Sequence, residues 1–431
     1  MNNLLLVVGA GVLAMLFSFW KTTWINKQDE GTGRMKQIGS SIAEGAMAFL
    51  KAEYRVLTIF VIAVALLLGF ANFGRDDSSA LIAMSFIVVA DGVRNWGNWF
   101  FNNVEITDIT IINPHLYSTS ILNFGIIAGA LASALLARQF QIRSAPGREL
   151  SKGVIGGILM GIGSSLSFGC NIGGFFSSIS ALSMSGVAMM AGLIIGSIIG
   201  LKILVWEITY LSPAAKSVKK ESVKQNKKNQ PFLGLTILVV GVLLALFYDQ
   251  MDYSIRGGFL FFGLTLGIIM QRTRFCFVRA FREPFMTGDG SASKAVVIAV
   301  LISVVGFSIL KWSDMKDWEA QVSAGFWLGS LVGGIIFGIG MSITGGCASG
   351  TLWRAGEGHI KLWVALIAFA LSGSYFREWL AVSGWSTKLG DALFIPDLVG
   401  WKIGMFSICL LMLLWYIIVS WNEATRKLVI V

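Results

Sequence analysis

The chain has 431 residues, of which 55% are hydrophobic and only 13% charged, and its mean hydropathy is +0.73. No water-soluble core of ordinary proportions hides that much apolar surface, so a soluble globular enzyme is excluded and a membrane protein is implied. The formal charge of +10 at pH 7 sits mostly in connections between apolar runs, which is the pattern of cytoplasmic loops and argues against a nucleic-acid partner.

In chain order, apolar runs able to cross a bilayer as helices fall at about 3 to 20, 56 to 72, 120 to 137, 152 to 168, 186 to 206, 232 to 249, 256 to 271, 294 to 311, 326 to 345, 362 to 378 and 402 to 420. The expected fold class is all-α, a polytopic membrane protein with about eleven transmembrane helices, some of them short and re-entrant. The first run, MNNLLLVVGAGVLAMLFSFW, has no basic segment before it and continues into a charged stretch, so it reads as a retained spanning helix and not a cleaved signal. Residues 73 to 119 read as an external connection.

Basic residues set the orientation. Lys216, Lys219, Lys220, Lys224, Lys227 and Lys228 crowd the connection Ser212 to Gln230, the strongest cytoplasmic signal. Arg138, Arg143, Arg148 and Lys152 fall on the same side, as do Lys21 to Arg55, Arg272, Arg274, Arg279 and Arg282, and the tail with Arg426 and Lys427. Phe73 to Ser118 and Lys311 to Gln321 are left outside.

One sentence of the chain occurs twice. Residues 156 to 173, GGILMGIGSSLSFGCNIG, return at 333 to 350 as GGIIFGIGMSITGGCASG; at a constant offset of 177, ten of the eighteen positions are identical, including Gly169/Gly346 and Cys170/Cys347. With the orientation above, the helix before Cys170 runs outward and the helix before Cys347 runs inward. The repeat is then inverted, and paired interrupted helices of this kind place a substrate site near the midplane.

Glycines beside each cysteine let the backbone unwind and aim amide N–H groups at a ligand, which lipid tolerates only where the segment is buried in protein or lines a cavity. Such donors favour an anion. Cys170 with Gly169, Asn171 and Gly173, and Cys347 with Gly346 and Ser349, are therefore candidate substrate contacts, although small residues also serve plain helix packing. Cys276 lies in QRTRFCFVRAFREPF among four arginines, whose guanidinium groups attract anions and favour a thiolate. Cys409, in FSICLLMLLW, reads as a packing residue. Arg354 is a further anion-contact candidate, while Glu357 and His359 read as solvated loop residues. Only two histidines, and no CxxC or paired-histidine spacing, argue against a histidine catalytic centre, a metal or a cofactor.

The segments SFGCNIGGFF, QRTRFCFVRAFRE and TGGCASGTLWRA together resemble the YeeE/YedE family of bacterial inner-membrane sulfur-compound transporters, over about residues 115 to 425. The likeness is greatest to the YedE branch, whose common family name links it to selenium metabolism. The resemblance implies an hourglass-shaped helical protein with inverted pseudo-symmetry and a central path along which cysteines hand on thiosulfate. By motif position these are Cys170, Cys276 and Cys347; the resemblance makes no claim on Cys409. Residues 25 to 72, with EGAMAFLKAEYR, resemble the opening of a membrane-bound proton-pumping pyrophosphatase. Binding pyrophosphate with Mg²⁺ needs aspartate clusters on facing helices, and from residue 75 onward no apolar run carries one.

The expected division is a two-helix extension at 1–72, the connection 73–119 and a sulfur-transport domain at 120–425, with inverted repeats around 120–206 and 256–378. The expected function is import of a small sulfur oxyanion across the inner membrane, without enzymatic chemistry. Its partners are that anion and the bilayer, with a soluble sulfur-carrier protein docking on the 212 to 230 loop as a further option. A selenium compound as cargo, or thiol-dependent sulfur transfer, are the alternatives.

Overall fold

The computed structural model describes residues 89–103, 113–211, 229–251, 254–312, 322 and 327–430. The runs expected at 3 to 20 and 56 to 72, the whole N-terminal extension, the lysines of the 212 to 230 connection and residues 313–321 lie outside the described residues.

The other nine expected runs are all helices. In chain order the elements are α1 (Val89–Asn103), α2 (Ser118–Leu136), α3 (Gly147–Leu166), α4 (Asn171–Ser180, π-helical over Asn171–Ser177), α5 (Met184–Leu211), α6 (Gln230–Gln250), α7 (Ser254–Thr273), α8 (Phe277–Met286), α9 (Ser291–Trp312), α10 (Leu328–Thr344), α11 (Ala348–Gly356), α12 (Ile360–Val382), α13 (Ile395–Val399) and α14 (Trp401–Thr425). Among the described residues, eight helical stretches are long and apolar enough to cross a bilayer, or nine if the bent pair α3–α4 is one span. The protein is an all-α polytopic membrane protein. α6 lies at the rim, leaving Phe232, Leu235, Val239, Leu243 and Phe247 exposed, as a lipid-facing helix should.

At the centre α3 crosses α10 on glycines. A Cβ on Gly163 would lie 2.7 Å from the Gly333 carbonyl oxygen, and one on Gly340 would lie 2.7 Å from that of Gly156. As residue numbers rise along α3 they fall along α10, so the two helices are antiparallel. Each has a parallel companion: Gly157 and Gly161 of α3 meet the Ala365 and Phe369 carbonyls of α12, while Gly334 and Gly338 of α10 meet the Met189 and Leu193 carbonyls of α5. Helices in lipid gain nothing from hiding apolar surface from water, and such close backbone approach supplies the packing that holds them together.

Two polar ends bracket this core. At one, Glu207 pairs with Arg148 and Lys152 at 2.8 Å each, Glu149 bridges Lys152 and Lys361 at 2.6 and 2.7 Å, and Arg143 meets His359 at 2.7 Å. This gathers the starts of α3 and α12 with the end of α5. At the other end, Asp91 of α1 takes Arg94 and Tyr117, and the Tyr248 hydroxyl donates to the His115 carbonyl at 2.8 Å.

Five helices were not foreseen as separate elements: α1, α4, α8, α11 and α13. The stretch read as a bare connection holds α1, which packs through Gly92 on the Thr119 carbonyl and through Gly97 on that of Ala370. Asp91, Arg94 and four asparagines dilute its hydropathy, so no window of spanning length marks it.

Candidate functional site

Three helices stop in the same way. Two residues before each cysteine the backbone is left-handed, at Phe168 (φ 55°), Arg274 (φ 51°) and Gly345 (φ 79°), which ends α3, α7 and α10. Each cysteine is then extended, with φ/ψ of −82°/−172° at Cys170, −155°/129° at Cys276 and −81°/178° at Cys347, and each occupies the N-cap of the short helix that follows. A thiol thus stands where Ser, Thr, Asp or Asn usually caps, beside the unpaired N–H groups of α4, α8 and α11. Cys276 has no counterpart in the sequence repeat, yet its break is built to the same plan.

All three cysteines are buried, Cys347 completely. The Cys276 and Cys347 sulfurs lie 3.5 Å apart, within reach of a thiol hydrogen bond. Cys347 Sγ also accepts from the Gly350 N–H at 3.2 Å and lies 3.5 Å from the Ser349 hydroxyl. Thr351 Oγ1 donates to the Cys347 carbonyl at 2.7 Å and fixes the turn. Asn171, the residue after Cys170, is fully buried, and its side-chain amide lies close to the Cys347 thiol. The break after α3 and the break after α10 therefore meet.

The remaining expected contacts divide. Gly169 packs its backbone against Gly174, whose N would be 2.6 Å from an added Cβ, whereas a Cβ on Gly173 would meet nothing within 4 Å and faces open space. Gly346 abuts Thr351 Oγ1, 3.0 Å from where a Cβ would be. Arg354 donates to the Gly345 carbonyl at 2.8 Å, its guanidinium lies 5.1 Å from the Trp353 ring centre, and it stands near enough to Cys276 for its charge to act on that thiol. Cys409 sits within α14, half-buried against the core and away from any helix start.

Aromatic rings cluster about the start of α8, next to Cys276. Phe277 stands edge-on to Phe175, Phe176 and Phe275 at 6.2, 6.3 and 5.1 Å, and Phe175 meets Phe281 at 5.2 Å. Trp353 Nε1 donates to the Phe275 carbonyl at 3.0 Å, tying α11 to the α7–α8 break.

Glu357 is not the solvated loop residue expected from sequence. It is buried, takes a hydrogen bond from Gln271 Nε2 at 2.9 Å, and lies 3.5 Å from Arg274 and 3.7 Å from His359. Burial works against its carboxylate, but the neighbouring His359, the Gln271 hydrogen bond and the Arg274 charge hold its pKa below the ordinary value. Gln271 reaches on to Ser133 of α2 at 2.8 Å, so the carboxylate braces the end of α7 against α2 and α11. Sequence reading also passed over Gly350, where a Cβ would fall 2.5 Å from Cys276 Sγ; the glycine following CAS was the signal.

Chemically, the arrangement offers thiol and backbone N–H donors to an anion in a buried setting beside aromatic carbon. The two sulfurs present soft surfaces to a partner that itself ends in sulfur. Among the described residues no group of three or more His, Cys, Asp or Glu side chains is placed to hold a metal ion.

Comparison with known proteins bears on this arrangement. A probable transporter named YedE from Escherichia coli (strain K12) is 28% identical over 278 residues, 63% of this chain and 66% of the relative. The thiosulfate transporter TsuA of the same organism is 38% identical over 116 residues, 27% of this chain and 32% of the relative. The chain thus spans just under two thirds of the first relative's length and about a third of the second's. A putative K⁺-stimulated pyrophosphate-energized sodium pump of Clostridium tetani is 46% identical over 60 residues, only 9% of that protein, in keeping with the pump-like opening of the chain. No solved structure matches. The sulphur transport family model matches residues 2–199 and 272–429, taking in all three cysteine breaks, and the chain belongs to that family.

Proposed function

We propose that this protein imports a small sulfur oxyanion, thiosulfate, along a buried path on which Cys170, Cys347 and Cys276 act in succession. The observation that carries this is the pair of sulfurs 3.5 Å apart at the starts of α8 and α11, with the buried amide of Asn171 close to Cys347 from the third break. A divalent anion enters a bilayer only if donors replace its water. Thiols and half-helix N–H groups do this at each station, and weak donors in series avoid a deep trap. Gly169, Gly173, Gly346 and Ser349 keep the backbone close to the passing anion, and Arg354, near Cys276, adds a cationic contact.

The inverted relation of the repeats is part of the proposal and is supported by the antiparallel α3 and α10 and by their matched companions α12 and α5. On this reading residues 120–425 form the transport unit, with repeats around 120–206 and 256–378, residues 1–72 extend it, and the bundle end bearing Arg143, Arg148 and Lys152 faces the cytoplasm from the inner membrane. Thiosulfate is favoured over a selenium cargo because the name thiosulfate transporter is carried by TsuA. The protein acts as a transporter, so its cargo leaves chemically unchanged.

The test is uptake of radiolabelled thiosulfate by proteoliposomes, with unlabelled sulfate and selenite as competitors and chemical analysis of the accumulated label. Intact thiosulfate inside, displaced by unlabelled thiosulfate more strongly than by selenite, is expected. Label recovered as sulfite and bound sulfur would show an enzyme, and stronger competition by selenite would change the cargo.

A further inference from the structure

We infer that a cavity at the end of α3, separate from the thiol pair, is a receiving site for a small tetrahedral dianion such as sulfate or thiosulfate. That it passes its occupant to Cys170 rests on the transport reading above; the binding itself does not.

The cavity has a volume of about 110 Å³, the space of several water molecules, and Asp91, Arg94, Phe168, Gly169 and Arg377 form part of its wall. Gly169 connects it in the chain to Cys170. Its charges do not cancel. Asp91 is already engaged by Arg94, by the Tyr117 hydroxyl and by Thr119 Oγ1 at 3.4 Å. Burial and the Asp91 carboxylate push the Tyr117 phenol up to about 12, so it stays a neutral donor. One carboxylate therefore faces two guanidinium groups.

Arg377 is the informative one. It lies in the last turns of α12, beside Asp91 and Arg94 at the polar end of the bundle. The partners it has are neutral: it donates to the Ser165 carbonyl at 3.2 Å, and its guanidinium stands 4.1 Å from the Phe168 ring centre. No ion pair holds it among the described residues, and across the cavity it feels both the Arg94 charge and the Asp91 carboxylate that Arg94 already engages. Two like charges held together in a half-buried cavity are relieved by a dianion that takes N–H donors from both.

The backbone supplies an independent sign. Position 168 corresponds to 345 in the repeat, and both are left-handed, with φ of 55° and 79°. Glycine fills one without strain; phenylalanine fills the other against it. The strained choice places a ring against the Arg377 guanidinium, where glycine would leave it unsupported. A residue that served only to end α3 would be better as glycine, as it is at the end of α10.

The test uses the full chain in lipid nanodiscs with sodium sulfate, and then thiosulfate, against sodium chloride at equal ionic strength, read by calorimetry. Wild type should bind sulfate saturably, and Arg377→Gln should weaken it by about tenfold or more, with Arg377→Lys in between because a point charge cannot reproduce the fork. Phe168→Gly removes strain, so it should melt no lower than wild type while losing affinity several-fold. Cys347→Ser should still bind sulfate at this cavity. In uptake, Arg377→Gln should raise KM by about tenfold while the maximal rate stays within about twofold, since saturation restores occupancy. Unchanged sulfate affinity in either Arg377→Gln or Phe168→Gly overturns the proposal, as does a wild type that prefers sulfate no more than chloride. If wild type binds sulfate as described yet imports no thiosulfate, the transport reading fails and this site stands.

Discussion

A methyl group at Gly350 would lie 2.5 Å from the Cys276 sulfur and 3.2 Å from that of Cys347, closer than either thiol could tolerate without moving. Overpacking of this kind costs about 1–3 kcal/mol, which a protein with so many buried helix contacts survives. Gly350→Ala should therefore fold, melt a few degrees lower and lose about nine tenths or more of its uptake, because the sulfur pair can no longer hold its spacing. Normal uptake by a folded Gly350→Ala protein would show that this spacing is irrelevant. Cys409 provides the contrast. It is half-buried within α14 and caps nothing, so Cys409→Ser should cost less than about 1 kcal/mol and leave uptake within about twofold of wild type.

At the level of elements, the recurring unit is a spanning helix, a left-handed residue, one further residue, an extended cysteine and a short helix. Part of it was readable in advance. Glycine and cysteine recur together at 169–170 and 346–347, and the apolar runs gave nine helices to within a few residues at each end. The third copy was not readable as such, because Arg274 takes the left-handed position that glycine holds at 345 and no sequence repeat flags it. The short helices escaped because α8 and α11 have 10 and 9 residues, below spanning length, and α4 is π-helical, a form with no distinctive residue pattern. Glu357 was misread for a different reason: a glutamate between two glycines looks like loop, and only the fold brings Gln271, Arg274 and His359 to it.

That brace makes its own prediction. Glu357→Gln keeps a partner for Gln271 but loses the attraction of Arg274, and should lower stability by about 1–3 kcal/mol near neutral pH. The Glu357 pKa is depressed in the folded state, so its stabilisation is complete above the ordinary value of 4.5 and is lost as pH falls through the lowered one. The gap in melting temperature between wild type and Glu357→Gln should thus hold above that value and narrow below it. A gap that widened on acidification would mean the carboxylate is not held ionised by these partners.

Over the whole molecule, the packing of α3 on α10 is the joint on which the two halves depend. Gly163 faces Gly333 and Gly156 faces Gly340, and each pair becomes the other when 177 is added to one member and subtracted from its partner. A helix pair of this kind brings one broken end toward the centre from each side of the bilayer, which is how Asn171 comes to lie near Cys347. Gly333→Leu should force the helices apart, since even its Cβ would lie 2.7 Å from the Gly163 carbonyl; size-exclusion of detergent-solubilised protein should show aggregation or a large loss of yield. A well-behaved Gly333→Leu protein with normal uptake would contradict the role given to this crossing.

The central claim is that sulfur atoms at helix breaks carry the anion across. Its most direct measurement is the initial rate of radiolabelled thiosulfate uptake into proteoliposomes containing Cys170→Ser, Cys276→Ser or Cys347→Ser protein, each checked for wild-type melting behaviour. Serine keeps a capping donor of similar size and removes only sulfur. The account predicts that each falls to about a tenth of the wild-type rate or less. Uptake at the wild-type rate by both Cys276→Ser and Cys347→Ser would contradict it.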